Sequence, residues 1–196
     1  MKAINLVAMY EKQKAFIDLQ IDEIMSSKIP LLSAFDSKGR VRLNLACGNH
    51  DKKGFVNVDL FKYKGINALW DISQPLPFEA NSILEINLGN SIKHIKMGNL
   101  KKVLSGMVRV LVPDGNIDIT FYDFGLVGKF YREKKVDIPY INTMLYGAEF
   151  KENQIHSLVL SKEWLIGAME KFGCGAEGIK EDKWVRSIRF IKRGKR

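Results

Sequence analysis

Between Val41 and Tyr122 the chain alternates short apolar runs with polar or helical stretches, and this alternation constrains the fold more than any other feature. Val41–Ala46 and Phe55–Leu60 are strand-like, Ile66–Trp70 is a weaker third run, and Ile83–Leu88 is a fourth. Ile92–Leu111 reads as a helix, Pro113-Asp114-Gly115 as a turn, and Ile117–Tyr122 as a strand with alternating character. A second clear helix spans Ser161–Phe172, with Ser161 as N-cap, Glu163 in its first turn, and Gly173 and Gly175 able to end it. Trp184–Ile191 closes the chain as a β-rich run. Strands alternating with helices predict an α/β fold: a single Rossmann-like, doubly wound domain around a mostly parallel sheet.

One interval departs from the simplest version of that fold. Only Asn49–Gly54 lies between the first two strand runs, whereas a parallel crossover normally needs about a dozen residues. The first crossover helix is therefore expected to be a single turn or absent.

A chain of 196 residues suits one domain. We divide it into an N-terminal helical extension (1–40) and a Rossmann-like core (41–196). In the extension, Phe16, Ile17, Ile21, Ile24 and Met25 make one apolar stripe over residues 9–28, which Pro30 ends. No apolar run approaches the roughly 20 residues of a membrane span, and the N-terminus lacks the pattern of a signal peptide. A cytoplasmic location is expected. Cys47 and Cys174 form no CxxC pair and share no metal-ligand spacing with His50, His94 or His156, so neither a disulfide nor a metal is expected.

The net charge is +9, much of it in KEDKWVRSIRFIKRGKR at the end of the chain. Such a segment can attract nucleic acid. No nucleic-acid motif accompanies it, and the plainer expectation is a solvated edge strand followed by a frayed tail over residues 192–196.

In an open α/β sheet, ligands bind beyond the carboxyl ends of the strands, so the residues just after each run carry the functional reading. Ala46-Cys47-Gly48-Asn49 could bring backbone N–H groups close to an anion, or be a plain tight turn. Asp59 could accept the hydroxyls of a ribose, or cap a turn. Asp71 could accept an adenine amino group between Leu76 and Phe78, or be a turn aspartate enforced by Pro75 and Pro77.

The order of these segments resembles class I S-adenosylmethionine-dependent methyltransferases, in particular a compact branch whose first motif reads Leu-Asn-Leu-Gly-Cys-Gly-Asn and runs on to Asn-Val-Asp. The matching residues are Leu43-Asn44-Leu45-Ala46-Cys47-Gly48-Asn49, Asn57-Val58-Asp59, Pro75-Leu76-Pro77-Phe78 and Arg109-Val110-Leu111-Val112-Pro113-Asp114-Gly115. The resemblance covers about residues 41–124, and more loosely 145–173. It implies S-adenosylmethionine as cofactor, held by Asn44, Ala46, Cys47, Gly48, Asn49, Asp59, Leu60, Asp71, Ile72 and Asn90. It implies methyl transfer, with His94, Asp123 and His156 as candidates for proton acceptance or acceptor contact. His94 is read as opening a helix whose positive end keeps the ring neutral, and Asp123 as facing the same crevice.

The departures fall at two places. Ala46 replaces the first glycine, which is tolerable if its backbone dihedrals are ordinary. The His-x-x-Glu-His of the branch is Asn90-Ser91-Ile92-Lys93-His94 here, keeping only the last histidine. The expected acceptor is a small or glycan-like molecule. The alternatives are a degenerate module that binds the cofactor without catalysis, and a nucleic-acid methyltransferase using the basic C-terminus.

Overall fold

The computed structural model describes residues 36–147 and 156–194. The apolar stripe at 9–28 and the extension built on it lie outside the described residues. The strand runs become β1 (Val41–Leu45), β2 (Val56–Asp59), β3 (Ala68–Leu69), β4 (Ile83–Gly89) and β5 (Leu111–Tyr122). Two further strands, β6 (Cys174–Asp182) and β7 (Val185–Lys192), complete one seven-stranded sheet in the order β3-β2-β1-β4-β5-β7-β6. The first five strands pair in parallel, and β7 runs antiparallel to both β5 and β6. The expected α/β fold with a mostly parallel sheet is the fold observed. Chain order reverses at β1, which lies between β2 and β4, and this is where such sheets open a crevice for ligand.

Between β1 and β2 the described structure has turns and no helix, as the six-residue gap demanded. A row of asparagines across the strands holds that loop instead. Asn87 Nδ2 donates to Asn44 Oδ1 (2.6 Å), Asn44 Nδ2 donates to Asn57 Oδ1 (2.7 Å) and to His50 O (3.0 Å), and Asn67 Oδ1 accepts from Asn57 N (2.8 Å). Asn44 is in register with both Asn57 and Asn87. Asn57 Oδ1 also accepts from Lys52 N at 2.8 Å, so side chains from the sheet meet the loop's backbone groups.

The single helix expected over Ile92–Leu111 is two helices. Asn90–His94 is a 3-10 helix, Ile95 and Lys96 are extended, and α1 spans Met97–Val110. Ile92 and Ile95 are both buried, Ile92 within the 3-10 turn and Ile95 in the extended link that follows it. The proline-glycine turn is likewise corrected. Pro113, Asp114 and Gly115 lie inside β5 as a wide bulge: Leu111 pairs with Ile83 and Asn116 with Glu85. Asp114 has φ 63°, and a Cβ on Gly115 would stand 2.8 Å from Leu84 O.

Three helices follow among the described residues: α2 (Phe124–Arg132), α3 (Ile138–Tyr146) and α4 (Lys162–Lys171). Ser161 caps α4 through Trp164 N, and Gly173, at φ 85°, follows its end.

Only the first three residues of the basic C-terminal run, Lys180–Asp182, lie on an edge strand. β7 is internal, and β6 forms the edge. Its cations have assigned positions: Arg189 pairs with Asp118 through two bonds (2.8 and 2.6 Å), and Arg186 bonds Glu181 (2.6 Å). Nor is the tail frayed from residue 192. Lys192 Nζ donates to Val108 O (2.8 Å), Leu111 O (2.6 Å) and Asn81 Oδ1 (2.8 Å). With Leu111 N on Met107 O, Asn81 N on Arg109 O and Ser82 N on Val110 O, the last four carbonyls of α1 all have donors. Arg193 N bonds Gly173 O. Residues 195 and 196 lie outside the described residues. No helix among the described residues is long and apolar enough to cross a membrane.

Candidate functional site

Beyond the carboxyl ends of β1, β2, β3 and β4 lies a cavity of about 800 Å³. Asn44, Ala46, Cys47, Gly48, Asn49, Asp59, Leu60, Asp71, Ile72 and Asn90 all line it. A shallower groove between α2, α3 and Trp184 contains none of these strand-end residues.

Asp59 organises the β1 side. Its carboxylate is mostly buried (7% exposed) and accepts from Gly48 N at 2.7 Å and from Phe61 N at 2.9 Å. It thereby fixes the turn after β1 and the turn after β2 at once. Gly48 has φ 57° and open space where a Cβ would stand, so the turn needs glycine and leaves room against the cavity. Ala46 does not have ordinary dihedrals. It has φ 49°, a left-handed conformation that costs an L-residue about 1–2 kcal/mol. Ser91 Oγ donates to Ala46 O and ties this strained turn to the 3-10 helix. Cys47 is buried, and burial together with the nearby Asp59 carboxylate pushes its thiol up to about 11, so it is no nucleophile at neutral pH.

Asp71 Oδ1 accepts from Ser73 N (2.8 Å), an Asx-type turn at the outer wall beyond β3. The apolar walls expected from Leu76 and Phe78 are not there. Both side chains are core, and Trp70 and Ile72 line the cavity in their place. Arg109 accounts for the spacing of two of the motifs, since its guanidinium donates to Leu76 O and Phe78 O, each at 2.8 Å. The proline stretch and the Arg-Val-Leu segment are thus clamped together.

On the β4 side, Asn90 Oδ1 is buried and has no hydrogen-bond partner among the described residues. A buried acceptor without a donor is costly, and here it lines a cavity where a ligand donor could meet it. Asn87, Gly89, Ser91 and Lys96 also line the cavity and escaped the sequence reading. Gly89 carried a usable signal, a glycine at a strand's carboxyl end like Gly48, and it sits at φ 55°, ψ −151°.

Of the three catalytic candidates, only His94 lines the cavity. It closes the 3-10 helix and α1 begins at Met97, so no helix amide end opens at His94 as expected. His156 packs edge-on against it, ring centroids 5.2 Å apart, with the Tyr122 ring 5.9 Å from His156. His156 Nδ1 is 2.6 Å from Met144 O. A carbonyl only accepts, so Nδ1 carries the proton. Burial, then the charges of Lys93 and His94, hold the His156 pKa below the usual imidazole value. Asp123 lies outside the cavity lining and is 3% exposed. It caps α2 through Leu126 N (3.0 Å), accepts from Lys162 N at the start of α4 (2.9 Å) and stands 3.1 Å from Arg186 Nε.

Comparison with solved structures finds this fold in S-adenosylmethionine-dependent methyltransferases. The chain is 12% identical to one from Methanosarcina mazei over 79% of this chain and 92% of that one, TM-score 0.56. It is 15% identical to one from Thermotoga maritima, a possible histamine N-methyltransferase, over 94% and 100%, TM-score 0.52. A protein from Pyrococcus horikoshii is 20% identical over 94% and 98%, TM-score 0.56. No protein-family model and no curated protein matches the sequence. Likeness at this level defines the fold class and leaves the activity to the site.

Proposed function

We propose that this protein is an S-adenosylmethionine-dependent methyltransferase acting on a small or glycan-like acceptor. The observation that carries the reading is the cavity at the switch point, lined by the Gly48 turn, Asp59, Asp71 and Asn90, whose Oδ1 is unsatisfied among the described residues. This donor and acceptor set suits a nucleoside with an amino-acid tail. Asp59 has lone pairs left for ribose hydroxyls after its two backbone bonds. Asp71 would accept from adenine beside Ile72. Asn44, Ala46, Cys47, Gly48, Asn49, Leu60 and Asn90 would surround the rest. When bound, S-adenosylmethionine supplies an electrophilic methyl group on a sulfonium.

The chain's own task is to orient the acceptor and, where the nucleophile is protonated, to take its proton. His94, which lines the cavity, would take that role. His156 supports it: with Nδ1 committed to Met144 O, its outward chemistry is confined to Nε2. Asp123 acts as a positioning residue, holding the starts of α2 and α4 beside the end of β5.

The competing reading is a binding module that holds the cofactor without transfer. Lys93 favours it, standing where the resemblance places an acidic residue. Titration calorimetry with S-adenosylhomocysteine, followed by a methyl-transfer assay over candidate acceptors, separates the two. Binding with transfer that slows in His94→Ala supports the enzyme, binding without transfer to any acceptor supports the module, and no binding removes both.

A further inference from the structure

The cations of β7 are engaged within the fold, Arg186 on Glu181, Arg189 on Asp118 and Lys192 on the end of α1. A different cationic surface lies beyond the carboxyl end of β5, apart from the cavity. It is the groove of about 970 Å³ between α2, α3 and Trp184. Trp184 stands in the turn between β6 and β7, and Asp123 N donates to its carbonyl at 3.0 Å, which fixes that turn against the end of β5. Phe130 and Tyr140 pack on the indole as T-shaped pairs, with centroids 5.8 and 5.1 Å away. A ring braced in this way loses little freedom when it meets a ligand.

Tyr131 and Tyr140 line the same groove and are 46% and 45% exposed, and Ile138 beside them is 50% exposed. In α3 only Met144 is buried, so packing of the fold does not account for these rings. Aromatic rings gathered on an exposed face mark an interaction surface. Cations are interleaved with them. Arg132, Lys134 and Lys135 line the groove, and Lys183 Nζ stands 5.7 Å from the Trp184 centroid. The lining carboxylate, Asp137, is engaged in capping α3 through Tyr140 N (2.9 Å). Glu133 pairs with Lys135 at 2.8 Å, whereas Arg132 and Lys134 have no ion pair among the described residues.

A single strand of nucleic acid uses all of these features: its flat bases stack on exposed rings, and its phosphates meet the cations between them. A duplex hides its bases. An acidic peptide would engage the cations and leave the ring faces idle. A small ligand calls for an enclosed pocket, and this groove is shallow. We infer that the groove binds single-stranded nucleic acid, with bases on Tyr131, Tyr140 and Trp184 and phosphates at Arg132, Lys134 and Lys183. The strand binds here whichever molecule is methylated, and no cofactor enters the measurement, so this reading and the methyl-transfer reading can each fail alone.

Labelled single strands of mixed sequence, about 12 nucleotides long, are titrated with the full chain and followed by fluorescence anisotropy. RNA and DNA strands are measured in parallel. The matching duplex, a polyglutamate peptide and a hyaluronate oligosaccharide serve as unlabelled competitors. Saturable binding to a single strand is expected, and the tighter of the two strands identifies the preferred sugar. Affinity should fall with salt, and Lys134→Ala should lower the slope of log K against log salt by about 0.7, the loss of one phosphate contact. Tyr131→Ala, at an exposed ring, should weaken binding about fivefold or more at unchanged Tm, the loss of one stacked base. Lys101→Ala, the same change of charge on the exposed side of α1, should alter neither the affinity nor the slope by as much. Absence of saturable binding, competition by duplex, polyglutamate or hyaluronate as tight as by the unlabelled strand, wild-type affinity in Tyr131→Ala, or an equal loss in Lys101→Ala would each overturn the inference.

Discussion

Asp59→Asn is the substitution whose outcome the geometry defines most sharply. The side chain keeps its volume but exchanges one oxygen for an NH2 group. In the wild type both oxygens accept backbone N–H groups, Oδ2 from Gly48 at 2.7 Å and Oδ1 from Phe61 at 2.9 Å. Whichever way the new amide turns, its NH2 faces one of those donors. One partly buried N–H is then left without an acceptor, at a cost of about 1–3 kcal/mol, and the surviving bond loses its charge, about 1 kcal/mol more. The sum, about 2–4 kcal/mol, corresponds to a fall in Tm of about 5–15 °C for a chain of this size. A bound ribose would also exchange a charged acceptor for a neutral one, losing about 1–2 kcal/mol over one or two hydroxyl bonds and weakening S-adenosylhomocysteine by about 5- to 30-fold. Thermal denaturation and titration calorimetry on the variant, below its own Tm, read the two effects separately. An unchanged Tm would refute the turn-anchoring role. A lowered Tm with unchanged affinity would leave Asp59 as an anchor and remove it from the ligand site.

Lys192→Met keeps the stem and removes the donors to Val108 O, Leu111 O and Asn81; it should destabilise the fold by about 2–4 kcal/mol in urea denaturation. A midpoint equal to wild type would mean that water replaces Lys192 at the end of α1. Ala46→Gly should stabilise by about 0.5–1 kcal/mol, since relief of the φ 49° conformation exceeds the extra freedom of glycine in the unfolded chain; a loss of stability would show that Ala46 is unstrained. The folded-state pKa of His156 lies below its ordinary 6.5, chiefly through burial, so as pH falls through that value the unfolded chain takes up a proton that the folded chain refuses. Stability should therefore decline with acidity in that window, and His156→Gln should flatten the decline; identical pH profiles would contradict the burial of the ring.

Much of the sheet's parallel half was legible in the chain because buried parallel strands are short apolar runs, and β1, β2, β4 and the end of β5 are such runs. β6 was not: Cys174–Asp182 carries two glycines and four charges, and it is a strand because β7 pairs with it along its length. Its partner β7 looked like an edge because its cations suggested solvent, whereas Arg186, Arg189 and Lys192 each find acceptors elsewhere in the fold. The strand-end positions of the site were readable for a local reason. Asp59 and Gly48 need one another at short range, and the turn chemistry that joins them leaves a trace in eleven residues of sequence. Asp123 shows the limit of that kind of reading. Its place at a strand end is visible, but the partners that occupy it, Lys162 and Arg186, are far along the chain. The left-handed Ala46 was hidden for the opposite reason, since an alanine gives no sign of the conformation that a glycine would have advertised.

The asparagine row changes what a ligand would have to do on arrival. A loop such as 46–55, lacking a helix, would ordinarily be ordered by whatever binds it, and the entropy of that ordering would be subtracted from affinity. Here Asn87, Asn44 and Asn57 carry one unbroken sequence of amide dipoles from β4 across β1 and β2 to the backbone of Lys52. The loop is thus tied to the sheet at Gly48, His50 and Lys52 by bonds that need no ligand. Association here then needs little ordering of the loop: the Gly48 and Lys52 amides, held by Asp59 and Asn57, should exchange with solvent about as slowly as those of the strands beside them, and ligand should slow them little further.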